Sequence, residues 1–175
     1  MVLIWITLFS DQWHSRTKGI TMYEYSNKSK KNMKGLHSDL VAILNEAIEI
    51  TEVDFSVFEG MRSVSRQRKL VALGKSQTMN SRHLTGHAVD LVPYPYGGDN
   101  DGDGEINGHD WDEYFPIADA MILSAKKLNI PLRWGGNWKV TDVRGYRGDA
   151  KKLHNLYRGS FPDGPHFELP RRHYG

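Results

Sequence analysis

Two short segments of this chain combine residue types that can do metal or acid–base chemistry. The first is Ser81-Arg82-His83-Leu84-Thr85-Gly86-His87-Ala88-Val89-Asp90, in which Asp90 stands inside an otherwise apolar run from Ala88 to Val92. A carboxylate in such a run must be paired, hydrogen-bonded or bound to a metal. The second is Asp163-Gly164-Pro165-His166-Phe167-Glu168-Leu169, where His166 opens another short apolar run and Asp163 precedes it by three residues. That pair can place an imidazole on a metal and a carboxylate beside the metal's water. His83 and His87 are four apart, a spacing that binds zinc on a helix, but the stretch lacks the glutamate of an H-E-x-x-H site and Gly86 weakens a helix there. Most of the eight histidines are read as ordinary polar residues.

A third segment, Asp99 to Asp110, follows the twelve-position EF-hand loop: acids at positions 1, 3 and 5, glycine at 6, an apolar residue at 8 and an acid at 12. Asp99, Asp101, Asp103, the Glu105 carbonyl, Asn107 and Asp110 are the expected calcium ligands, and a divalent cation would relieve the repulsion among the acids. Position 12 is Asp rather than the usual Glu, and Pro93, Pro95, Gly97 and Gly98 preclude an entering helix. The expectation is therefore a single EF-like loop running into the helix that follows, with an acidic loop that binds nothing as the alternative. The loop begins nine residues after Asp90, so calcium is expected to order the rim of a site there and to regulate it.

Other chemistries fit poorly. Gly74-Lys75-Ser76 resembles the end of a phosphate-binding loop, but Lys69 stands where that loop needs glycine, and no G-x-S-x-G element occurs. With no cysteine, disulfide scaffolds, Cys-bound zinc, iron–sulfur clusters and thiol nucleophiles are all excluded.

The elements that must position these segments follow from periodicity. Ser38 is placed to cap a helix with Leu40, Val41, Ile43, Leu44, Ala47 and Ile48 at helical spacing. Glu52 to Glu59 reads as a strand ended by Gly60, and Ser63 caps a helix that runs to Leu73 and stops at Gly74. His87 to Val92 reads as a buried strand. A longer helix is expected from about Asp112 to Leu128, with Pro116 near its first turn, and short strands at Leu132 to Trp134 and His166 to Leu169. The result is an α+β domain with a small sheet.

The 175 residues, 39% apolar and 25% charged, suit one compact domain. The net charge of +2 conceals an uneven distribution: nine acids and no Lys or Arg lie between Arg82 and Lys126, leaving a strongly basic remainder. Eight of the first nine residues are apolar, yet this run is well short of the ~17 residues of a membrane span. No basic residue precedes it and no cleavage pattern follows, so it is not read as a signal peptide. Residues 1–22 are expected to be an appendage outside the fold, with a functional start at Met22, and a packed extra strand or membrane-surface anchor is the alternative.

The two motifs Ser81-x-His83-x-x-Gly86-x-Ala88-x-Asp90 and Asp163-x-Pro165-His166-Phe167-Glu168 together resemble the metallopeptidases of family M15. That group includes D-alanyl-D-alanine carboxypeptidases and phage L-alanyl-D-glutamate endopeptidases. Glu59 to Ser63 and Trp134 to Trp138 also resemble family segments, so the likeness spans roughly Tyr25 to Leu169. It implies a small antiparallel sheet flanked by helices, hedgehog-like or D,D-peptidase-like, over residues 23–175. It implies zinc on His83, Asp90 and His166, with Asp163 as general base, Arg62 on a substrate carboxylate or oxyanion, Ser81 hydrogen-bonded to substrate and Glu168 orienting a ligand histidine. Structural roles are the alternatives: an ion pair for Arg62, a turn cap for Ser81, the surface for Glu168. Trp134 and Trp138 are candidates for lining a substrate groove, or else core aromatics. His87 occupies a variable position and is read as a non-ligand.

The Asp-x-Pro-His form resembles the endopeptidase branch, which implies hydrolysis of the L-Ala–D-Glu bond of peptidoglycan stem peptides. A D-Ala-D-Ala carboxypeptidase is the nearest alternative, and a non-catalytic hedgehog-like binding module the rival from another class. The expected setting is a monomer made in a host cytoplasm and acting on the cell wall after release, with no nucleic-acid partner and no stable membrane insertion.

Overall fold

The computed structural model describes residues 23–94 and 111–175. The expected extension at 1–22 and the calcium ligands Asp99, Asp101, Asp103, Glu105, Asn107 and Asp110 lie outside the described residues.

The first helix, α1 (Asn27–Asn32), is short and polar and starts where the Ser26 side chain accepts the Ser29 N–H. Helix α2 (Ser38–Ile50) follows, burying Leu40, Ile43, Leu44, Ala47 and Ile48 along one stripe, as the periodicity predicts. Its cap is His37 rather than Ser38, because the His37 Nδ1 accepts the Asp39 N–H that the helix leaves unpaired. Strand β1 (Phe55–Glu59) is shorter at its start than expected. Helix α3 (Val64–Ala72) has the predicted Ser63 cap, and Gly74 just beyond it takes the left-handed conformation at φ 70°.

Strand β2 (Ala88–Pro93), helix α4 (Trp111–Leu128) and strand β3 (Arg133–Trp134) then appear within two residues of their predicted starts. Pro116 lies inside α4, where the missing N–H costs one hydrogen bond near the first turn. Helix α5 (Ala150–Asn155), strand β4 (His166–Glu168) and helix α6 (Arg171–Tyr174) complete the described chain.

The four strands among the described residues form one antiparallel sheet in the order β1-β2-β4-β3. β2 and β4 are therefore central, and one face of the pair is closed against the core, with Val89, Leu91 and Phe167 almost wholly buried, while Asp90, His166 and Glu168 lie on the opposite face, towards a cleft. α2 packs along α4, and α4 packs against β2, so the core lies between this helix pair and the sheet. Each fully buried side chain such as Leu40, Ile43 or Ile122 contributes ~1.5–3 kcal/mol by leaving water. No helix of the described residues is long and apolar enough to cross a membrane.

The pairing of β2 with its neighbours sets the site. Asp90 is the direct partner of His166 across the β2–β4 ladder. On the other side, the β1–β2 register shifts between Val57 and Glu59, which brings Glu59 opposite Asp90. An extra residue in β1 thus turns an acid toward the centre of the sheet.

Candidate metal centre

His83 is delivered by a single turn of 3-10 helix, Arg82–Thr85, immediately before β2. The Ser81 hydroxyl accepts the His83 N–H at its start. Gly86 ends it at φ 71°, where a Cβ would lie 2.2 Å from the Gly35 carbonyl oxygen, so neither the dihedral nor the space admits another residue. The buried Arg82 ties this turn to the end of the chain by donating to the carbonyls of Leu169 and Gly175.

The His83 ring is oriented by a 2.7 Å hydrogen bond from Nδ1 to the Gly60 carbonyl. Because that carbonyl can only accept, Nδ1 carries the proton and Nε2 is left bare in the neutral ring. This Nε2 lies 3.1 Å from Asp90 Oδ1 and 3.2 Å from His166 Nδ1, and the latter is 3.1 Å from the same Asp90 oxygen. His166 turns its Nε2 the other way, 3.2 Å from Glu168 Oε2. Two imidazole nitrogens and one carboxylate oxygen therefore converge on one point.

Four-coordinate zinc with bonds of ~2.0–2.1 Å would hold its ligand atoms roughly 3.3 Å apart. The donor triangle matches that spacing, and two imidazoles with one carboxylate are a donor set suited to zinc. His83, Asp90 and His166 can thus hold a metal ion, and they are the one such group among the described residues. The charges agree. Burial alone would raise the Asp90 carboxyl, but the His83 and His166 rings outweigh it and hold it well below the usual aspartate range. Burial would likewise depress His166, but its hydrogen bonds to Asp90 and Glu168 push it up to about 10 in the absence of a cation.

The surrounding groups fix these three. Arg62 donates through one terminal nitrogen to Glu59 Oε2 (2.6 Å) and Asp90 Oδ2 (3.1 Å), and through the other to Gln67 Oε1 (2.8 Å). Its terminal nitrogens are thus engaged, and it holds the outer oxygen of Asp90 so that Oδ1 faces the histidines. Glu168, buried rather than at the surface, accepts from both His166 and Arg133. Those charged partners hold its carboxyl below the ordinary glutamate range although burial works the other way. His87 points elsewhere, its ring 5.0 Å from that of His37 and its Nδ1 2.9 Å from Thr85 Oγ1.

Asp163 sits on a tight turn leading into β4. Its N–H donates to the Gly135 carbonyl and its own carbonyl accepts the His166 N–H. Trp111, the first residue of α4, lies on Gly164 so closely that a Cβ there would be 2.9 Å from the indole, and it stacks on His154 at 3.9 Å. Burial raises the Asp163 carboxyl above the ordinary range, and the Asp90 charge adds to this against the opposing pull of His166, His83 and Arg62.

These residues share one cleft of about 1220 Å³, whose wall includes Arg62, Ser81, His83, Asp90, Asp163 and His166. Trp138 lines it, with its ring 5.2 Å from that of His166 and its indole N–H donated to the Phe161 carbonyl. Trp134 does not. It is fully buried, donates its indole N–H to the Gly164 carbonyl and supports the Asp163 turn from beneath, so of its two readings, groove and core aromatic, the structure shows the core one and not the groove. Gln67 and Arg133 belong to the site's scaffold but carry no motif, whereas Glu59 opens the family-like segment that ends at Ser63. The three-residue spacing of Glu59 and Arg62 matches the ion pair they form.

Residues 21–170 match the profile of the family described as phage L-alanyl-D-glutamate peptidase. The crystal structure of the L-Ala D-Glu endopeptidase ChiX of Serratia marcescens is similar, with a TM-score of 0.64 and 39% sequence identity, covering 89% of this chain and 96% of that one. The L-alanyl-D-glutamate peptidase of Escherichia phage T5 is 27% identical over 150 residues, 84% of this chain and 98% of that protein. That of Listeria phage A118 is 25% identical over 159 residues, 89% of this chain but 45% of that protein.

Proposed function

Since the chain belongs to the phage L-alanyl-D-glutamate peptidase family, we propose that it is a zinc peptidase that hydrolyses the L-Ala–D-Glu bond of peptidoglycan stem peptides. The observation that carries this reading is the convergence of His83 Nε2, Asp90 Oδ1 and His166 Nδ1 within 3.1–3.2 Å of one another on the wall of an open cleft. Zinc bound by these three would supply Lewis-acid polarisation of the scissile carbonyl and lower the pKa of a water molecule. Asp163 is the general base: it takes a proton from the attacking water and passes it to the leaving amine as the peptide bond breaks. Arg62 keeps Asp90 charged and turned inward, while Ser81 and Trp138 offer a hydroxyl and an aromatic face to the peptide in the cleft.

Residues 23–175 act as one catalytic domain, with 1–22 as an appendage. The 99–110 segment binds calcium and regulates activity. The zinc-loaded chain is then more active with calcium than without, and Asp101→Ala removes the difference; equal activities would rule the regulation out. The protein works as a monomer on the cell wall after release from the host cytoplasm.

Mass spectrometry of peptides released from purified peptidoglycan tests the activity. New N-terminal D-Glu is the expected product. Released D-Ala would make the chain a carboxypeptidase, and no product from zinc-loaded protein would make it a binding module.

A further inference from the structure

We infer that Arg133 is a positioning residue for His166, acting through Glu168. The inference rests on the reading of His83, Asp90 and His166 as a metal centre, and extends it to a residue that touches none of the three.

Arg133 and Glu168 are direct partners across the β3–β4 ladder. Glu168 follows His166 by two residues, so the two side chains share one face of β4. The Glu168 carboxylate is almost fully buried, and each oxygen has a charged or polar partner: Oε2 lies 3.2 Å from His166 Nε2 and Oε1 3.2 Å from Arg133 Nη1. A buried carboxylate holds one orientation when both its oxygens are engaged, and loses it when one partner is withdrawn.

Arg133 is itself clamped. Its second terminal nitrogen donates to the Trp138 carbonyl at 2.5 Å, and its guanidinium lies over the Trp138 ring, 4.8 Å from the centroid. The same ring is 5.2 Å from that of His166. Arg133, Glu168, Trp138 and His166 therefore close into a box. The carboxylate fixes the rotation of the imidazole by engaging Nε2, Arg133 holds the carboxylate, and Trp138 holds Arg133 in place. With Nε2 committed outward, Nδ1 faces His83 and Asp90. A planar guanidinium can serve a carboxylate, a carbonyl and an aromatic face together, which an ammonium cannot.

The test measures zinc affinity of the full chain by competition with a chromogenic chelator, for Arg133→Met, Glu168→Ala and the two combined. Each single variant is expected to bind zinc roughly ten- to a hundredfold more weakly, the loss usual when a hydrogen-bond partner of a ligand histidine is removed. The double variant should bind no more weakly than Glu168→Ala alone, because Arg133 acts only through that carboxylate. Arg133→Lys, which keeps a cation against Glu168 and guards against misfolding of the Met variant, should recover part of the affinity. In peptidoglycan assays kcat should fall while KM stays put. Zinc affinity for Arg133→Met within twofold of the unsubstituted chain would reduce Arg133 to a structural ion pair, and additive losses would show that it does not act through Glu168. Zinc affinity is read without substrate, so a chain that binds zinc tightly but releases no peptide would overturn the proposed activity and leave this assignment standing.

Discussion

The sheet side of the cleft and its α3 side hold their polar groups by different means. On the sheet side, Asp90, His166 and Glu168 alternate with Val89, Leu91 and Phe167, which anchor the central strands in the core, and each of the three has at least two polar partners. On the α3 side, the one fully buried residue among the described positions of the helix is an amide, Gln67. It accepts from Arg62 and donates to Ser76 and the Thr78 carbonyl, while Lys69, Leu73 and Lys75 along the same wall are exposed. Reacting groups need placement to within fractions of an ångström, and strands inside an apolar core supply it. A wall that meets a polymeric substrate needs reach and charge more than precision, and a helix anchored by a few hydrogen bonds suffices.

The largest expected effect attacks the sheet side directly. Asp90→Ala and His83→Ala abolish zinc binding and activity, whereas His87→Ala, two residues before β2 reaches Val89, retains both; metal analysis of the purified variants checks this. The opposite pattern would break the contrast, since it would place the metal away from the sheet. Next, Asp163→Asn lowers kcat by ~10²–10⁴, the range for loss of a general base, with zinc affinity unchanged. Loss of zinc along with rate would mean that Asp163 serves the metal and not the proton. Gln67→Leu leaves the Arg62 hydrogen bond unmade and costs ~1–3 kcal/mol in denaturant unfolding. It should raise KM more than it lowers kcat, because it loosens the α3 wall while Arg62 keeps its bonds to Glu59 and Asp90 through its other terminal nitrogen. Finally, Lys69→Ala, at an exposed position, shifts stability by no more than ~0.5 kcal/mol. A larger destabilisation would show that the α3 wall is held by more than Gln67.

The same contrast explains what the sequence makes legible. α2 and α4 show a helical apolar period, β2 an apolar run broken by one acid, and α3 a serine cap with a glycine stop, so each was placed within a few residues. The three residues that can hold a metal were legible because His83, Asp90 and His166 sit in two compact motifs. α1, α5 and α6 have too few turns to show a period, although Ser26 and Asp149 cap the first two by accepting backbone N–H groups. Arg133 and Gln67 were not legible at all. Their partners lie on other strands and loops, and the pairing of Arg133 with Glu168 spans 35 residues of sequence. Trp134 and Trp138 have two readings in the sequence, groove or core, because aromatic residues next to glycines allow either, and burial decides between them only after folding: Trp134 is core and Trp138 lines the cleft.

The contact between Trp111 and Gly164 carries one more consequence. Trp111 is joined by a single peptide bond to Asp110, the last position of the acidic segment, and its indole rests on the residue beside the proposed base. Stacked on His154 at 3.9 Å and seated on Gly164, the indole buttresses the turn that presents Asp163 with a side chain of α4. Trp111→Ala would remove that buttress, so the Asp163 turn would lose its packing against α4 while its backbone hydrogen bonds to Gly135 and His166 remain.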